Sequence, residues 1–174
     1  MNKERLEKRF PVGIPFPIEL GMLFDWAGEN GYPISGCFEL YIDEHDSISK
    51  WFGTNEVKNL FGIFGKGPDG SLYGIWKEKE GNYPIVHMGS EGQNNIILAD
   101  SIKDFLRLLA IGYDEIGFAD LDSSPEDRNN VNQNFQDWVI TMFGVEIPRV
   151  GSEITNSTRT RSSDFQAWIE TVVK

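Results

Sequence analysis

Between residues 57 and 98, short apolar runs alternate with turns of glycine, proline, asparagine and aspartate, and this alternation limits the fold more than any other feature. Val57 to Phe64, Ser71 to Trp76, Tyr83 to Met88 and Asn95 to Leu98 read as strands. Their separators are Gly65-Lys66-Gly67-Pro68-Asp69-Gly70, Glu80-Gly81-Asn82 and Gly89-Ser90-Glu91-Gly92. Residues of these types tolerate the positive φ of tight turns, and connections this short cannot cross a sheet face, so the pairing is expected to be antiparallel. Upstream, Cys37 to Asp43 alternates with period two, placing Phe38, Leu40 and Ile42 on one face, which adds a fifth strand to the meander.

Helical periodicity flanks the strands. Ile18, Met22, Leu23, Trp26 and Ala27 predict a helix over 18–28, stopped by Gly31 and Pro33. Ser101 and Asp104 form a capping-box pattern ahead of Ile102, Phe105, Leu106 and Leu109, with Gly112 as terminator. Ser124-Pro125-Glu126-Asp127 predicts another helix start, because proline suits the first helical position, and Val131, Phe135, Trp138, Val139 and Met142 continue it to Gly144. Phe165, Trp168, Ile169 and Val172 mark a terminal amphipathic helix. The expectation is an α+β fold, a central antiparallel sheet of about five strands flanked by helices, in one domain over 1–174. Residues 1–17 are expected to be an irregular leader and 151–163 a polar connection. With 174 residues and 40% hydrophobic composition, the chain can bury a core without disulfides or metal.

Charge narrows the function. The net charge is −11, and residues 11–148 alone carry 8 basic against 22 acidic side chains. Such a body repels phosphate backbones and attracts basic partners, so direct nucleic-acid binding is not expected. The lone Cys37, the absence of an apolar segment behind the charged N-terminus and the lack of any long apolar run predict a cytoplasmic protein with no membrane partner. Two bare acidic clusters are candidate partner-binding residues: Asp114, Glu115, Asp120, Asp122, Glu126 and Asp127, with no Lys or Arg among them in sequence, and Glu39, Asp43, Glu44 and Asp46. A solvated loop with acids placed at a helix start would also produce the first cluster.

Catalytic and metal motifs are incomplete. Gly65 to Gly70 has the glycine spacing of a dinucleotide fingerprint, but a strand follows where a helix N-terminus would hold the pyrophosphate. Ser90 has Met88 where a hydrolase elbow needs glycine, and its available bases are His45 and His87. His87 lies in an apolar strand and reads as a hydrogen-bonded structural histidine. Asp120-x-Asp122-x-Ser124 opens like a calcium loop but has Pro125 and Val131 at positions needing Gly and Glu. Two histidines and one cysteine in separate elements make no plausible zinc site. No catalytic residue, metal or cofactor is expected.

Leu60 to Gly112 resembles the SUKH superfamily, which includes a yeast cell-wall-assembly regulator and many bacterial immunity proteins. The resemblance is carried by Phe64-Gly65, by Asp69-Gly70-Ser71-Leu72-Tyr73-Gly74-Ile75-Trp76, by Tyr83-Pro84-Ile85-Val86-His87-Met88-Gly89-Ser90-Glu91-Gly92 and by Asp104-Phe105-Leu106-Arg107-Leu108-Leu109-Ala110. It covers about a third of the chain. It implies a SUKH-like α+β fold without catalytic residues, acting as a protein-binding module. In bacteria such modules neutralise toxin domains, often nucleases, whose basic surfaces an acidic antitoxin would complement. The alternatives are an intracellular adaptor or regulator of the same fold and, more remotely, a small hydrolase using Ser90 or His87.

Overall fold

The computed structural model describes residues 3–79 and 81–173; Met1, Asn2, Glu80 and Lys174 lie outside the described residues. Five strands, β1 (Glu39–Leu40), β2 (Phe61–Lys66), β3 (Leu72–Trp76), β4 (Ile85–Met88) and β5 (Ile96–Ala99), form one sheet in chain order, every neighbouring pair antiparallel. The α+β class and the five-strand meander predicted from the glycine-punctuated runs are therefore present. The fingerprint-like Gly65–Gly70 segment is the β2–β3 connection, closed by Gly67 N–H to Ser71 O at 2.9 Å and by the Asp69 carboxylate accepting from Ser71 N–H.

Among the described residues seven α-helices accompany the sheet: α1 (Lys3–Arg9), α2 (Ile18–Asn30), α3 (Ser47–Phe52), α4 (Ile102–Ala110), α5 (Gln133–Phe143), α6 (Ser152–Thr155) and α7 (Arg159–Val172). Strand alternation sorts the side chains into two cores. Phe64, Tyr73, Ile75, Ile85 and Leu98 face the layer built with α2, α4 and α5, whereas Phe61, Ile63, Trp76, Val86, Met88 and Ile97 face α3 and α7. Both faces of the sheet are covered, which is why β2, β3 and β4 are buried along nearly their whole length and do not alternate with water.

Several expectations are corrected. The first strand shrinks to two residues, and Lys58–Leu60 forms a 3-10 turn before β2. The leader is not irregular throughout: Leu6 is fully buried, which anchors α1. The predicted helix start at Ser124 is a loop. Tyr113 Oη donates to Ser123 O at 2.7 Å and accepts from Gly151 N–H at 2.8 Å, holding that stretch in an open path. The helix begins instead behind Asn132, whose side chain accepts from Phe135 N–H. Residues 151–163 are likewise mostly helical. Their polar side chains cover the edge strand β5: Thr158 Oγ1 donates to Ile97 O at 2.7 Å, and Ser162 Oγ accepts from Ile97 N–H at 2.9 Å. These bonds satisfy a strand edge that would otherwise offer free pairing groups. Ser101 caps α4 as expected, with Asp104 N–H donating to Ser101 Oγ, while the Asp104 carboxylate accepts from the Ser101 hydroxyl and not from its backbone N–H.

Candidate functional site: an acidic groove over a buried histidine

Residues 113–130 leave α4 and wrap a groove of about 500 Å³. Its lining includes Asp114, Glu115, Asp120, Glu126 and Asp127, contains no Lys or Arg, and exposes the ring of Phe118 at 48%. Five of the six acids in the first cluster thus share one concave surface. Asp122 does not line it and pairs with Arg159 at 3.1 Å, a contact between well-exposed side chains that contributes little to stability.

The carboxylates divide by what holds them. Asp120 accepts from Asp122 N–H and Ser123 Oγ, and these bonds lower its pKa while folding the loop on itself. Asp127 accepts from Asn129 N–H and caps a 3-10 turn. Asp114 accepts from the Cys37 thiol at 3.1 Å, and its backbone carbonyl accepts from Cys37 N–H. That hydrogen bond, burial and the neighbouring charges of Asp114, Glu115 and Glu39 push the thiol up to about 11. Gly36 permits this approach, since a Cβ there would stand 2.2 Å from Tyr113 O and its φ is +48°. Glu115 is raised by burial and by the like charges of Asp69 and Asp114. Asp69, on the β2–β3 turn, does not line the groove but acts on Glu115 across space, and this was missed in sequence. Its separation of some 45 residues from Glu115 hid the proximity, although the acid in Pro68-Asp69-Gly70 was visible.

The second cluster is largely occupied. Glu39 pairs with Lys66 at 3.1 Å and Glu44 with Arg5. Asp43 accepts from Ser47 N–H at 2.9 Å at the start of α3, and Asp46 immediately precedes that helix with a left-handed backbone. The fold therefore supplies cations and backbone donors to a segment that is bare in sequence, and Glu39 also acts on the Cys37 thiol beside Asp114.

Beneath the groove lies His87. Its imidazole is fully buried, Nδ1 donates to Asn94 O at 2.8 Å, and Nε2 has no hydrogen-bond partner. The Phe118 ring meets it edge-on at 5.5 Å and Tyr73 at 5.1 Å. Burial lowers the His87 pKa, so the ring is neutral. Ser90 Oγ donates to Asp69 at 2.9 Å. The serine and histidine thus bond to different partners and do not form a nucleophile–base pair. Among the described residues no three His, Cys, Asp or Glu side chains are grouped to hold a metal ion, and no helix is long and apolar enough to cross a membrane.

Compared with protein-family models, the chain matches none, and it matches neither a curated protein nor a solved structure.

Proposed function

We propose that this chain is a non-catalytic protein-binding module of the SUKH kind, an immunity protein that neutralises a basic toxin domain such as a nuclease. The observation that carries the reading is the 113–130 groove: five carboxylates on one concave surface lined by no Lys or Arg, with a half-exposed aromatic ring among them. Long-range attraction to a basic surface speeds encounter, and an aromatic ring that loses water on docking slows release. Glu115 is raised first by burial and then by the like charges of Asp69 and Asp114, and a cationic partner would relieve that like-charge part, which supports the same reading. The motif resemblance between Leu60 and Gly112 adds the toxin-neutralising role to the protein-binding one.

The test is capture from native lysate at about 50 mM and about 500 mM salt, identification of the bound protein, and its expression with and without this chain. Salt-sensitive capture of a basic protein that poisons cells, with rescue by the wild type and not by Glu115→Lys/Glu126→Lys, is expected. A partner that is harmless when expressed alone overturns neutralisation in favour of an adaptor role. Rescue undiminished by the double reversal moves the binding site off this groove.

A further inference from the structure

A second concave surface lies between α2 and α5 and shares no lining residue with the 113–130 groove. The helices run antiparallel, since Asn134 near the start of α5 donates to the Asn30 side chain at the end of α2. Trp26, Phe135 and Trp138 join them, with Trp26–Phe135 edge-on at 5.0 Å and Phe135–Trp138 stacked at 5.7 Å. Outside this contact a groove of about 660 Å³ remains open. Met22 and Met142 lie at one end, Met142 being 49% exposed, and Ile18, one turn before Met22, is 75% exposed. Asp25, Glu29 and Asp137 border it, and no Lys or Arg lines it. The nearby cation is Lys3, 2.9 Å from Asp25 in an exposed pair that is cheap to break.

From this combination we infer that the α2–α5 groove docks a basic amphipathic helix of a partner protein. An unbranched, adaptable methionine pair accepts an aliphatic side chain without a preformed pocket. The acids spaced along both walls match Lys or Arg one and two turns away on the incoming helix, and the partly buried Trp138 indole between them favours a cation over its face. An acidic or purely apolar helix would leave Glu29 and Asp137 beside like charge or without solvent. The inference does not depend on the neutralisation reading, because it rests on different residues.

The probe is a fluorescein-labelled Leu/Lys amphipathic peptide of about 16 residues, long enough to form four helical turns, titrated by anisotropy against the full chain. A Leu/Glu peptide of the same pattern and a Lys-rich peptide with shuffled leucines serve as controls. Saturable one-to-one binding of the Leu/Lys peptide is expected. Glu29→Lys/Asp137→Lys, both on exposed sites, should weaken it by about tenfold or more, and Met142→Glu should do so by removing the apolar contact despite adding a negative charge. Glu126→Lys in the other groove should leave it unchanged. Equal binding of the shuffled peptide, or loss with Glu126→Lys and not with Glu29→Lys/Asp137→Lys, overturns the assignment. So does sedimentation showing a dimer of the free chain that the Met142→Glu variant dissolves, which would make the face a self-association surface. Unchanged circular dichroism of each variant separates lost binding from lost fold.

Discussion

Gly117 lies directly against the buried imidazole of His87: a Cβ at position 117 would stand 2.2 Å from both Nε2 and Cε1. The loop that carries the acidic groove is thereby seated on the sheet through a histidine ring with no room for a side chain between them. Gly117→Ala is expected to destabilise the protein by about 1–3 kcal/mol, the usual cost of overpacking. Removing the ring frees the space, so His87→Ala/Gly117→Ala should cost less than the two single changes added together. Chemical denaturation of the four proteins closes that cycle, and strict additivity would mean that the two residues are not in contact.

His87 also predicts a pH dependence. Burial depresses its folded pKa below the ordinary 6.5, so the unfolded chain binds the proton more readily. Both states are neutral above that value and the residue contributes nothing there. As pH falls through about 6.5 toward the folded pKa, stability should drop, and below the folded pKa the loss should level off. Melting temperatures across this window test the slope, and His87→Gln should flatten it. The carboxylates Asp69 and Asp120, lowered from 3.8, give up stability only below that value, so the onset at 6.5 belongs to His87.

Cys37 reports on the groove's charge. A thiol pushed up to about 11 from 9.0 holds roughly a hundredfold less thiolate at neutral pH, and thiolate is the reactive form. Native protein should therefore alkylate with iodoacetamide about a hundredfold more slowly than protein unfolded in urea. Asp114→Asn removes both the charge and its preference for the protonated thiol, and should recover much of the rate. A native rate equal to the unfolded one would place the thiol away from Asp114.

The second core depends on α7. Phe165 is fully buried, packs against Trp76 at 4.6 Å and stacks near Trp168 at 6.2 Å. Phe165→Ala should cost about 3–5 kcal/mol. Arg161 bridges Glu78 at 3.0 Å and pairs also with Asp100, joining α7 to the sheet at partly exposed sites. Arg161→Ala should cost about 1 kcal/mol or less, and thermal melts of the two variants should separate widely.

The meander was legible because each strand signal is local. Apolar runs bounded by Gly67–Gly70 and Gly89–Gly92 specify hairpins whatever surrounds them, and β3, β4 and β5 fall within a residue or two of the expected spans. Helix α4 was legible for the same reason, its Ser101 cap and apolar stripe lying within a dozen residues. The false helix start at Ser124 shows the limit: Pro125 satisfies a local rule, but Tyr113 donates to Ser123 O and Ser124 Oγ donates to Arg149 O, 25 residues along the chain, and these bonds hold the segment as a loop.

The acidic site divides in the same way. Composition and spacing alone determined an acidic chain with a carboxylate-rich segment at 114–127, an antiparallel sheet and helices with recognisable caps. Which carboxylates line a common surface was decided by tertiary contacts. Long-range pairing gave Glu39 a lysine and Glu44 an arginine, brought Asp69 within electrostatic reach of Glu115, and set Phe118, half-exposed in the groove lining, against His87. Periodicity records which side of an element is apolar, but the charge a residue meets across space depends on chain closure, and no local pattern encodes it.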